Sequence, residues 1–277
     1  MKNEFACGSL FSIPDLRDYV AKTQTTEFPE KFQLTMPRVK NQGSVGSCVA
    51  HSLATMTEYF DKQETKTYHK MSTGFIYGNR LLTTYKGKGM YTRDAIKTVA
   101  KFGNVQYQQF PDNVEVPYAI ARFDEEYARM GDAAGLNCKF KTYFKLNDEN
   151  AIKSHLMDKS PVIMTMWWYD DIEINNGVME TNCVKTSKTG GHCMVIYGWN
   201  ETGWLVQNSW GTGWGNKGRF VLPYNIPLKE TWGVTDDVSN SSLIIDPPFK
   251  TKFGALIAKI IHKIISWFYN MKNRGDN

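Results

Sequence analysis

Long apolar runs are missing: nowhere in the 277 residues do about 18 consecutive apolar side chains occur, so an ordinary membrane-spanning helix is not expected. The opening Met1-Lys2-Asn3-Glu4-Phe5-Ala6-Cys7 lacks the apolar centre of a secretory signal. Cysteine is sparse and odd in number, at positions 7, 48, 138, 183 and 193. That count gives no disulfide framework, although Cys183 and Cys193 are spaced to bridge a loop, and it fits a reduced, cytoplasmic setting. The five histidines (His51, His69, His155, His192, His262) are scattered without metal-ligand spacing, so neither a metal nor any other cofactor is expected.

Charge is lacking too over most of the chain. Residues 249–277 hold six Lys+Arg and one Asp, which equals the net +5 of the whole and leaves 27 charges of each sign in residues 1–248. The basic end follows a linker, 236–248, rich in Asp, Ser and Asn and closed by Pro247-Pro248. Over 249–272 the apolar residues Phe253, Leu256, Ile257, Ile260, Ile261, Ile264, Ile265, Phe268 and Met271 recur on one helical face, opposite Lys252, Lys259, His262 and Lys263; 273–277 is polar. A basic amphipathic helix with bulky Trp267, Phe268 and Tyr269 suits an anionic membrane surface. Packing of that face on a partner, on a second copy or on the rest of the chain are the alternatives, and nucleic acid is a weaker one.

What is present centres on Cys48. Gly43 and Gly46 suit a turn, and from Cys48 the residues Val49, Leu53, Met56 and Phe60 follow at helical spacing, so the thiol opens a helix. Free N–H groups and aligned dipoles at a helix N-terminus favour the thiolate. With the amide of Gln42 they are also suited to receive an oxyanion. A lone helical cysteine is more often a small core residue. Here, however, His192 leads a strand-like run, Gly190-Gly191-His192-Cys193-Met194-Val195-Ile196-Tyr197, and Asn208 follows within Gln207-Asn208-Ser209-Trp210-Gly211-Thr212-Gly213-Trp214-Gly215. Thiol, imidazole and neutral amide are the groups that acyl transfer uses as nucleophile, acid-base and orienter.

Val39-Lys40-Asn41-Gln42-Gly43 with Gly46-Ser47-Cys48, then Gly191-His192, then Asn208-Ser209-Trp210-Gly211 with Trp214-Gly215, resemble the active-site blocks of the papain-like cysteine peptidases. The likeness extends from about Pro37 to Val234. It implies an α+β, two-lobe fold, with a helical N-terminal lobe, an antiparallel β-barrel-like C-terminal lobe and the active-site cleft between them. It implies Cys48 as nucleophile, His192 as general acid and base, Asn208 as orienter, Gln42 as oxyanion donor and Trp210 as the cover of the His192–Asn208 bond. Gly89, Met90 and Gly191 correspond to substrate-binding positions. For Trp214, plain core packing is the preferred reading, as it is for Cys193 and His51. Trp167 and Trp168 stand where they are able to fill the room left by Gly190 and Gly191.

The departures from secreted relatives are Val45 in place of a cysteine and Val49 in place of an aromatic residue; with Ile13-Pro14-Asp15-Leu16-Arg17-Asp18-Tyr19, they look more like bacterial, archaeal or phage members. The family's long helical propeptide is not expected, because 47 residues are too few for it. The expected organisation is an extension over 1–36 and a peptidase domain over 37–235, helical to about 120 and β-rich from about 121. Helices are expected from a Ser72 cap through Leu82, from Thr92 to Gly103 and from Asp148 to Lys159, with strands at 162–166, 192–197, 204–207 and 219–222. The implied function is a cysteine endopeptidase acting on polypeptides. Acyl transfer to an amine by the same triad, or a non-catalytic binding module, are the alternatives, and a tail packed over the cleft is one way of restraining activity.

Overall fold

The computed structural model of the protein describes residues 6–82, 88–111, 138–181, 188–236 and 243–246. The basic segment 249–272, most of the 236–248 linker, Cys183 and part of the expected lobe boundary lie outside the described residues.

Helix α1, Cys48–Thr65, is the long helix of the N-terminal half, and it is buried from Cys48 through Asp61. Its polar residues are answered from outside: Glu58, fully buried, takes the ammonium of Lys40 and the N–H of Met71 at 2.9 Å. Helix α2, Thr73–Gly78, begins where the Ser72 hydroxyl accepts from Phe75 N–H at 2.9 Å, then tightens into a 3-10 turn over Asn79–Leu82 instead of continuing as α-helix to Leu82. Gly78 and Asn79, both weak helix formers, stand at that change. Helix α3, Thr92–Phe102, stops at Gly103 with φ 77°. Helix α4, Glu149–Met157, is capped by the Asp148 carboxylate on Ala151 N–H at 2.8 Å.

Eleven of the described strands make one mixed sheet. Its strands are β2 (Val20–Lys22), β3 (Phe32–Gln33), β5 (Thr142–Leu146), β6 (Val162–Tyr169), β7 (Glu173–Asn175), β8 (Val178–Glu180), β9 (Lys188–Trp199), β10 (Gly203–Gln207), β11 (Arg219–Pro223), β12 (Glu230–Thr235) and β13 (Ile244–Asp246). They run in the order β13-β2-β5-β12-β6-β9-β10-β11-β8-β7, with β3 added on β9. The centre is antiparallel, whereas β2 on β5 and β8 on β11 are parallel. A separate parallel pair joins β1 (Ser9–Leu10) to β4 (Met90–Tyr91). Helices on one side and a large sheet on the other give the α+β two-lobe papain-like fold. The apolar core is continuous across both, from Leu53 and Met56 of α1 to Ile163, Met194 and Trp232 of the sheet. Among the described residues no helix is long and apolar enough to cross a membrane.

Candidate active site

Cys48 is the first residue of α1, and Ser47 before it makes no side-chain cap, which leaves the first-turn N–H groups to other acceptors. The preceding loop is stitched to the loop after β10: Gln42 N–H donates to Ser209 O at 2.8 Å, Gly211 N–H to Lys40 O at 2.9 Å, and Asn41 bridges Trp210. The helix carrying Cys48 and the strand carrying His192 are thereby held by backbone bonds that both lobes share.

His192 lies in the middle of β9, opposite Met166 of β6, and Asn208 follows directly on β10. His192 Nε2 lies 2.8 Å from Asn208 Oδ1. The same Oδ1 accepts from Ser209 N–H at 2.7 Å, which identifies that atom as oxygen and so makes Nε2 the protonated nitrogen of the neutral ring. Nδ1 keeps its lone pair, and among the described residues no hydrogen-bond partner reaches it.

Around this imidazole stands a box of tryptophans. Trp210 stacks on His192 at 4.5 Å and 24°, and Trp168 meets both rings edge-on, at 5.3 Å and 4.7 Å. Trp214, partly buried, packs on Trp210, Trp168 and Phe220. Trp168 stands opposite Gly190 across the β6–β9 pair, as Trp167 stands opposite Gly191, and from there it also enters this box, a place that sequence reasoning did not give it. The signal was there in strand alternation, which turns Trp168 to the same face of β6 as Met166, the residue opposite His192. Cys193, one residue on, is fully buried beside Ser52, and burial pushes its thiol well above the ordinary range. His51 is buried against its own helix start, with Nδ1 3.0 Å from Ser47 O.

The Gln42 amide is oriented without ambiguity. Its Oε1 accepts from Ser209 Oγ at 2.6 Å, and its Nε2 donates to two carbonyls, Val45 O at 2.9 Å and Ala6 O at 2.7 Å. The second acceptor comes from the extension. Residues 6–12 run through the cleft: Gly8 packs so closely on the Gly46 backbone that a Cβ would strike the Gly46 carbonyl. Met90 N–H donates to Gly8 O at 2.9 Å, and Ser9 and Leu10 pair with Met90 and Tyr91. Gly191 faces Ser9 O, and the Phe11 ring lies edge-on to Trp167 at 4.6 Å. Gly89, Met90 and Gly191 are thus brought together around Gly8, Ser9 and Phe11. The 47 residues before Cys48, read as too few for a long helical propeptide, suffice to lay a single extended strand along the site.

Cover has an electrostatic consequence. Cys48 and His192 are both 0% exposed. Burial raises the Cys48 thiol above its ordinary value, although the N–H groups of Cys193, Gly8, Val49 and Cys48 itself favour the thiolate. Burial likewise lowers His192 from 6.5 to about 4, against the opposing hydrogen bond that it donates to Asn208 Oδ1. The N-terminal stabilisation of the thiolate read from sequence is present but outweighed in this state, and near neutral pH the pair rests as thiol and neutral imidazole.

Comparison with known proteins agrees with this fold. The family described as papain family cysteine protease matches residues 26–240. A cysteine protease of Blomia tropicalis is 24% identical over 217 residues, covering 74% of this chain, and the chain spans 62% of that relative's length. An uncharacterised peptidase C1-like protein of Acanthamoeba polyphaga mimivirus is 27% identical over 234 residues, 75% of each chain. The structure of xylellain, a cysteine protease from Xylella fastidiosa, superposes with a TM-score of 0.73 at 23% identity over 85% of this chain and 97% of its own. With a family match over most of its length and the fold to accompany it, this chain belongs to the papain family of cysteine proteases.

Proposed function

We propose that the protein is a cysteine endopeptidase in which Cys48 attacks the scissile carbonyl of a polypeptide. The observation that carries this reading is the His192–Asn208 bond through Nε2, which leaves the Nδ1 lone pair available to take the Cys48 proton. Cys48 sulfur lies on the N–H of Cys193, the residue next to that imidazole. Attack forms a tetrahedral oxyanion served by Gln42 Nε2 and the Cys48 N–H; His192 then gives its proton to the leaving amine, and a thioester remains. Water, deprotonated by the same imidazole, hydrolyses the thioester and restores the thiol. Asn208 holds the ring in one plane, and Trp210 keeps water from the bond between them.

The test is intact mass after exposure to a peptidyl epoxide, alongside hydrolysis of a peptide substrate. With the covering strand displaced by Gly8→Val, one adduct and measurable hydrolysis are expected, both absent when Cys48→Ala is added and reduced when His192→Ala is added. A Gly8→Val protein whose Cys48 accepts a small alkylating agent yet takes no epoxide and cleaves no peptide overturns the reading. Contact of residues 249–272 with an anionic membrane surface is part of the same proposal and rests on their sequence pattern.

A further inference from the structure

We propose that the cationic pocket walled by Arg38, Lys40, Lys70 and Thr73 is a second contact site for substrate, one that takes a glutamate or aspartate side chain of the polypeptide on the leaving side of the scissile bond. The inference rests on the endopeptidase reading for which chain occupies the cleft, whereas the pocket and its charge are read from geometry.

The pocket is a cavity of about 380 Å³, and three cations stand in its wall against one carboxylate. Lys40 is spent on buried Glu58, which also takes the Met71 N–H at 2.9 Å and lies 3.5 Å from the Tyr68 hydroxyl. Among the described residues Arg38 and Lys70 make no ion pair. The Arg38 guanidinium lies 5.3 Å from the centre of the Tyr68 ring, and the Lys70 ammonium 3.2 Å from that of Tyr107. An aromatic face attracts a cation without neutralising it, so two positive charges are left over at one cavity, within residues 1–248 whose charges balance. A buried donor adds to them. Thr73 is 3% exposed, and its hydroxyl has no hydrogen-bond partner among the described residues, which leaves it unused for an anionic oxygen. A guanidinium beside an ammonium suits a carboxylate, which accepts paired N–H bonds from the first and a single one from the second.

The pocket's place ties it to the leaving half of a substrate. Asn41, in its wall, pairs with Trp210 through a backbone bridge, and Gly211 N–H donates to Lys40 O at 2.9 Å. Trp210 stacks on His192, the group that hands its proton to the leaving amine, so the segment that leaves passes beside Trp210 and toward this wall. The opposite half of a substrate lies toward Met90 and Gly191, where the chain's own Ser9 sits. Along the sequence Arg38 to Asn41 lead directly into Gln42, and His51 of the same wall follows Cys48 by about one helical turn. Charge placed there acts on the substrate that the reacting groups hold, without touching the reacting atoms.

Peptides carrying Glu at each of the first five positions after the scissile bond, each beside its Gln counterpart, test the pocket. They are titrated by fluorescence anisotropy into the full chain with Gly8→Val and Cys48→Ala, in which the covering strand is displaced and turnover is absent. Should Gly8→Val not fold, Ser12→Ala, which loosens the same strand from Glu230, takes its place. At one or two positions Glu is expected to bind about five- to tenfold more tightly than Gln, with the gain shrinking as NaCl is raised. Arg38→Glu and Lys70→Glu, both at exposed positions, are expected to abolish the gain and to turn the preference toward a peptide with Lys there, an inversion that a merely structural effect does not produce. Glu and Gln bound alike at every position, or neither bound, overturns the proposal. So does binding of inorganic phosphate through Arg38 and Lys70 while the peptides show no preference, since the pocket then serves a free anion. Hydrolysis by the Gly8→Val protein separates the two readings, because a Glu preference in binding without cleavage sustains the pocket and overturns the peptidase.

Discussion

At the scale of single residues, the orientation of His192 is decided by three side chains on two segments, the turn after β10 and β6. Asn208 Oδ1 fixes the protonated nitrogen, Trp210 covers one face, and Trp168 closes the edge. Trp168→Ala is expected to admit water beside the imidazole and to raise its pKa from about 4 toward 6.5, because burial is the largest cause of the depression. Measured as kcat against pH, the His-dependent limb should move upward and kcat fall about tenfold with KM little changed, and Trp168→Phe should restore much of both. Gln42→Ala should lower kcat by about 10²–10³, the cost of one oxyanion donor, when hydrolysis rates are compared at saturating substrate. Cys48, His192, Asn208 and Gln42 were all legible as candidates because acyl transfer needs particular side-chain types and the motifs hold them in fixed company. Trp168 was not, because its role depends on which strand lies beside β9.

At the scale of elements, α1 is built around a buried acid. Glu58 is enclosed with Lys40 as its cation, and Lys40 stands two residues before Gln42. Burial raises the Glu58 carboxyl, the lysine opposing it. Lys40→Met should strand that group and destabilise the protein by about 3 kcal/mol, measured from denaturant midpoints, while Lys40→Met combined with Glu58→Leu should recover most of the loss. The helices were readable from caps and stops within a few residues: Ser72, Asp148 and Gly103 act as their chemistry dictates. The two- and three-residue strands β1 and β2 were not. Such pieces carry no periodicity, and their partners are remote in sequence, Ser9 on Met90 and Val20 on Lys145.

At the scale of the whole molecule, folding buries neutral histidines, which ties stability to pH. His192 falls from 6.5 to about 4 and His155 from 6.5 to about 3, both through burial. A depressed histidine binds fewer protons when folded than when unfolded, so its contribution is whole above 6.5 and is lost as pH drops toward 4 and 3. Glu58 and Glu230, raised by burial, act in the opposite sense. Urea midpoints should fall between about pH 7 and about pH 4, with a shallower slope in His155→Gln. Sedimentation with anionic vesicles should carry down the full chain and spare a chain ending at 248; equal recovery of both removes the membrane role of 249–272.

The sequence by itself determined the family and named the candidate groups for acyl transfer, since a helix-opening thiol, a histidine at a strand and an asparagine turn are local patterns whose residue types reaction chemistry restricts. It also determined the helix starts and stops, which capping groups settle within one turn. Only the tertiary structure decided which ring closes the histidine box, and that residues 6–12 lie across the reacting groups. Those are contacts between residues on different segments, Trp168 on His192, Ser9 on Met90 and Cys7 near Gly190. A contact of that kind depends on complementary shape and on which donors remain free once the rest of the chain has packed, and neither is written in the local order of residues.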